Sequence, residues 1–107
     1  MLNTVTRQAD DGIASGVTTV IKVDPNATGW SIKINKDGAT SGTLALTGKS
    51  PGASTAETVY DQYGVAISFD CATGTSQTYR FADQPMDEVI ITPTTLNGTY
   101  KYSFSQW

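Results

Sequence analysis

The chain has 107 residues, 16% of them charged and 38% hydrophobic, with a net charge of -3. One domain of this size buries roughly 65% of its unfolded surface, enough for a core without staples, and a second domain is excluded. A single cysteine, Cys71, excludes an intrachain disulfide, while seven basic residues scattered one at a time exclude a phosphate-neutralising patch and with it direct nucleic-acid binding.

Residues 1–16 are polar, broken by Asp10-Asp11-Gly12 and Ser15-Gly16, and read as an N-terminal arm with one short strand, Thr4 to Gln8; residues 17–107 make up the β-domain. Met1 to Gly12 holds no apolar run that serves as a signal-peptide core, and no segment approaches membrane-spanning length. A chain made and used in soluble form, without membrane contact, is expected. The arm is too polar to dock on its own core, so residues 1–12 are expected to be ordered by another chain. Met1, Leu2, Val5 and Arg7 are its candidate interface residues.

Beyond the arm nearly every element alternates apolar with polar residues, and successive side chains on a strand point to opposite faces of a sheet. Val17, Ile21 and Val23 share one face of a strand at Val17 to Val23; Trp30, Ile32 and Ile34 do so between Trp30 and Lys36; Leu44 and Leu46 do so between Thr43 and Thr47. Asp24-Pro25-Asn26 and Asp37-Gly38 separate these strands with turn chemistry that suits hairpins, so a meander is expected. Gly48 to Ala53 is a loop. Between Ser54 and Gly64, Ser54 and Glu57 have capping-box spacing, but the β-branched Thr58 and Val59 and the turn at Asp61 to Gly64 favour a hairpin over a short helix. Val65, Ile67 and Phe69 form the next inward set. Strands at Gln77 to Ala82, Glu88 to Thr92 and Thr99 to Gln106 follow, with Tyr79, Phe81, Tyr100, Tyr102 and Phe104 inward. About eight short strands separated by turns predict an all-β antiparallel β-sandwich or small β-barrel. Ile21, Ile32, Ile34, Leu46, Ile67, Phe69, Phe81 and Phe104 are its expected core.

The residues that carry chemistry are sparse. Histidine is absent, which removes the commonest general base and zinc ligand. Asp70, Asp83, Asp87 and Glu88 lie at strand ends and turns, where carboxylates solvate and cap, and Asp10-Asp11-Gly12 and Asp24-Pro25-Asn26 lack the ligand spacing of a calcium loop. No catalytic residue, cofactor or metal is expected, and Cys71 at a strand end reads as packing. The aromatics Trp30, Tyr60, Tyr63, Tyr79, Tyr100, Tyr102 and Trp107 suit either a core or a glycan platform. Most fall on inward sets, so core packing is expected of them. Trp107 falls on the face opposite Tyr102 and Phe104 and is the fifth candidate interface residue, as an intersubunit anchor.

The segments ETVYDQYGVAISFD (57–70), YRFADQPMDEVIITP (79–93) and NGTYKYSFSQW (97–107) resemble small virion structural proteins of tailed bacteriophages, in pattern rather than in any active-site motif. The first 50 residues fit by hydrophobic pattern only. The resemblance implies a non-enzymatic component of the particle, foremost a capsid decoration or cement protein on the capsid surface. Its implied partners are the major capsid protein or other virion proteins, with a homo-oligomer, in particular a trimer, as the implied state. A tail or head-to-tail component and a glycan-binding recognition module remain as alternatives.

Overall fold

Alternation decides which residues face inward, and strand pairing decides what they meet. The computed structural model describes the backbone of residues 4–10 and the whole of residues 18–107. Among the described residues nine strands run β1 (Thr4–Asp10), β2 (Thr19–Lys22), β3 (Trp30–Asn35), β4 (Ser41–Lys49), β5 (Glu57–Thr58), β6 (Ser68–Asp70), β7 (Ser76–Phe81), β8 (Glu88–Asn97) and β9 (Tyr100–Gln106). One sheet has the order β1-β9-β3-β7 and the other β2-β8-β4-β5, with β6 beside β5 on the same edge of β4. Every ladder is antiparallel.

Consecutive strands from β1 to β4 therefore alternate between sheets. The expected meander is not formed: the turns at Asp24–Asn26 and Asp37–Gly38 carry the chain across the sandwich instead of closing hairpins. Both turns have the local chemistry read from sequence. Asp24 Oδ1 accepts the Asn26 N–H at 2.8 Å and Asn35 Oδ1 accepts the Asp37 N–H at 2.9 Å. Such turns fix a reversal of direction without fixing which sheet the next strand joins. The interleaved order, with the late strands β8 and β9 in the middle of the two sheets, is that of a jelly-roll β-sandwich.

The core lies between the sheets. Trp30, Ile32 and Ile34 of β3 and Tyr100, Tyr102 and Phe104 of β9 face Leu44 and Leu46 of β4 and Val89 and Ile91 of β8, all buried. Trp30 stacks on Phe81 at 4.4 Å and on Phe104 at 6.0 Å, and its Nε1 donates to the Gln84 carbonyl at 3.1 Å, so the buried indole leaves no donor unsatisfied. Thr19 Oγ1 and Tyr100 Oη, 2.7 Å apart, share a hydrogen bond between the sheets. Of the eight expected core residues seven are buried; Phe81 is partly buried because β7 is an edge strand.

Three further expectations change. β8 does not stop before Pro93 but runs to Asn97, since β2 pairs with β8 only as far as Ile91 and the N–H that proline lacks is not needed there. Opposite its far end, β4 carries an irregularity between Ser41 and Thr43, where Gly42 has φ 103° and a Cβ would lie 2.6 Å from Leu96 Cα. Val65, expected inward with Ile67 and Phe69, is 59% exposed, because the chain rejoins the sheet only at Ser68. The expected hairpin at 58–67 is present, closed by the Tyr60–Ala66 bridge. The Thr4–Gln8 strand is extended to Asp10 and pairs with β9 of its own chain from Thr4 opposite Gln106 to Asp10 opposite Tyr100, rather than with another chain. Val17 lies outside the described residues.

Candidate functional site

The surface of the described residues includes two sheet faces and a cleft. On the outer face of the β1-β9-β3-β7 sheet, Ser31, Lys33, Ser103 and Ser105 alternate with the core residues, and the Ser31 and Ser105 hydroxyls meet at 2.7 Å. Lys101 pairs with Asp37 at 3.6 Å at one end of this face. At the other end the Arg80 guanidinium lies 4.3 Å from the centre of the Trp107 ring. Trp107 extends the β3–β9 ladder: Thr28 N–H donates to its carbonyl at 2.8 Å and its own N–H donates to the Gly29 carbonyl at 3.1 Å. Buried Gln106 accepts the Asp24 N–H at 2.7 Å, holding the chain end to the β2–β3 turn.

Of the five candidate interface residues, Val5 and Arg7 stand opposite Ser105 and Ser103 in the ladder. Trp107 sits half-buried beside the same strand, held by its own Arg80. Met1 and Leu2 lie outside the described residues.

The outer face of the other sheet is different in kind. Val20, Ile90, Thr47 and Thr58 form one row across four strands, and Ala45 and Thr92 stand beside it. This row carries no charge. Beside it Glu88 bridges Lys22 of β2 and Lys49 of β4, which stand directly opposite it in the two ladders. The Lys22 hydrogen bond, followed by the charges of both lysines, holds the Glu88 carboxyl below the usual carboxylate range.

The cleft, of about 550 Å3, opens between the free edge of β7 and the hairpin that projects from β5 and β6. One wall is the unbroken run Gln77 to Gln84, and the other is Tyr60 to Tyr63, with Ile67 at the floor. Asp61 builds the hairpin tip: its Oδ1 accepts the Tyr63 and Val65 N–H groups at 2.8 and 3.0 Å, and its own N–H donates to the Val65 carbonyl at 2.9 Å. Tyr60 is 56% and Tyr63 81% exposed, which corrects the expectation that the aromatics pack inward; Trp30, Tyr100 and Tyr102 do. Partial burial at the rim pushes the Tyr79 hydroxyl above its usual pKa. Among the described residues Asp83, Gln62 and Gln77 have no side-chain partner.

Two further carboxylates hold turns. Asp70 Oδ1 accepts the Ala72 N–H at 2.9 Å, and Asp87 Oδ2 accepts the Gly52 N–H at 2.8 Å in the Ser50–Ala53 turn. Among the described residues no three acids or cysteines gather as a metal site. Cys71 is fully buried, and burial followed by the charge of Asp70 pushes its thiol pKa up. No helix among the described residues is long and apolar enough to cross a membrane.

No family model and no curated protein matches the chain. Among solved structures, the chain is similar to the SPBc2 prophage-derived protein YomS, with TM-score 0.54 and 15% identity over 97% of this chain and 91% of that one. It is also similar to a structure described as Bacillus endospore appendages forming a family of disulfide-linked pili, with TM-score 0.50 and 16% identity over 98% and 87%. At these identities the likeness is one of fold.

Proposed function

We propose that this chain is a non-enzymatic structural subunit of a phage particle, a decoration or cement protein that binds the major capsid protein and strengthens the head shell. The observation that carries this reading is the fold, which is similar to that of a prophage-derived protein along nearly the whole of both chains. The sheet faces supply a physical means. Val20, Ile90, Thr47, Thr58 and Thr92 are β-branched, with few rotamers to lose on docking, and no charge in their row has to be desolvated. A stiff sandwich presenting such a face adds little affinity per contact, but many copies engaged on one shell add up.

The proposed state is a homotrimer seated across capsomer boundaries, and light scattering of the purified chain reads it directly. The decisive experiment uses particles lacking the protein. These are expected to assemble with normal geometry yet release DNA at lower temperature or under milder chelation than complete particles. Depleted particles that are equally robust but fail to adsorb to cells overturn the cementing role.

A further inference from the structure

The cleft between β7 and the projecting hairpin plays no part in the docking of a flat sheet face, and its chemistry is different. We infer that it binds a short neutral oligosaccharide, with Tyr60 and Tyr63 as the stacking surfaces and Asp83, Gln62 and Gln77 as hydrogen-bonding groups.

Size is the first argument. A volume of about 550 Å3 falls within the roughly 300–1,000 Å3 of small-ligand sites, whereas a protein partner needs a broad patch of some 800 Å2 on each side. Exposure is the second. Four large hydrophobic side chains are exposed among the described residues, and three of them, Tyr60, Tyr63 and Val65, belong to this one hairpin. A tyrosine offers an apolar ring and a polar tip, which matches a pyranose ring with an apolar face and hydroxyls at its rim.

The third argument is the inventory of free polar groups. Asp61 spends its carboxylate on the hairpin tip, so the tyrosines are presented on a rigid turn. Asp83, Gln62 and Gln77 line the cleft and have no partner among the described residues, leaving both donors and acceptors open to a ligand rich in hydroxyls. Charge settles the class of sugar. An anionic glycan meets Asp61 and Asp83 against one cation, Arg80, whose guanidinium already lies over Trp107. A lipid chain finds Ile67 and Phe81 but is flanked by amides and carboxylates along both walls.

The test titrates the full chain with cellotetraose, chitotetraose and maltotetraose at up to millimolar concentration, read by calorimetry and by backbone amide NMR. At least one sugar is expected to bind, with shifts confined to 60–63 and 77–84. Tyr63→Ala and Tyr60→Ala are each expected to weaken binding about tenfold. Asp83→Asn should weaken it without moving the melting temperature, since all three side chains stand clear of the core. No binding by any of the three sugars overturns the inference, and so does binding that both tyrosine variants retain. A synthetic peptide of the Thr4–Asp10 sequence that protects the Gln77–Phe81 amides, with no response to sugars, overturns it in favour of strand addition to the β7 edge. The cementing role stands or falls separately, on particle robustness.

Discussion

Substituting Gly29 by alanine tests how the chain end is packed. A Cβ at Gly29 would lie 2.6 Å from Trp107 Nε1, 2.7 Å from Trp107 Cε2 and 2.6 Å from the Ala82 carbonyl oxygen. The indole can swing away only by leaving Arg80, 4.3 Å from its centre. The carbonyl has less freedom, since two residues on the Gln84 N–H donates to the Thr28 carbonyl at 2.7 Å and pins that backbone to the β3 entrance. Overpacking of this kind costs about 1–3 kcal/mol. With an unfolding entropy of about 2.1 cal/mol/K per residue, that corresponds to a fall of roughly 4–13 °C in melting temperature for a chain of this length. Calorimetric melts of Gly29→Ala, Trp107→Ala and the double variant measure it. Removing the ring relieves one clash and leaves the Ala82 contact, so the double variant should be more stable than the sum of the single losses, yet less stable than Trp107→Ala alone. A parent-like melting temperature for Gly29→Ala, or full additivity with Trp107→Ala, refutes the packing argument.

Leu46→Ala, at a position 1% exposed between β5, β6 and β8, is expected to cost about 2–5 kcal/mol in urea unfolding; a loss well below that range means the neighbouring strands collapse into the space. Because Lys22 and Lys49 lower the folded-state pKa of Glu88, its contribution to stability is present above the unfolded-state pKa and lost as pH falls through the folded one. Glu88→Gln should therefore lower the urea midpoint at neutral pH and flatten its fall on acidification, and an unchanged acid limb would falsify the bridge. Cys71, buried with a raised pKa, is expected to resist a disulfide reagent in the native chain and to react fully in denaturant, so rapid native labelling refutes its packing role. Deleting residues 1–10 leaves β9 as a bare sheet edge and is expected to raise self-association above that of the full chain, read by light scattering; a scattering mass per chain unchanged from the parent's counts against the β1 pairing.

Faces were legible in the sequence and neighbours were not. The period of two identified the inward sides of β3, β4 and β9 because both sides of each strand have a definite environment, core or water. It said nothing about which sheet a strand enters, since a turn such as Asp37-Gly38 suits a crossing as well as a hairpin. The same limit explains Val65, Tyr60 and Tyr63. Alternation runs on through them, but burial also needs a facing layer, and the hairpin has left the sheet before it reaches them. The signal that marks them is the turn at Asp61 to Gly64: residues next to a tight hairpin tip stand beyond the sheet edge. The cleft itself needs β7 brought beside that tip, a juxtaposition set only by the strand order.

The placement of β8 and β9 at the centre of the two sheets has a consequence for how the chain reaches this fold. During synthesis β2 and β4 emerge without the strand that joins them, and β1 and β3 without theirs, so the sheets close only once β8 and β9 have followed. The pairing of Thr4 with Gln106 closes a loop spanning nearly the whole chain. Contacts this distant in sequence fold slowly, on the order of milliseconds to seconds, and leave unpaired β-strands exposed in the meantime. A truncation that removes β9 deprives both β1 and β3 of a partner at once, and should yield an aggregating chain rather than a smaller folded one.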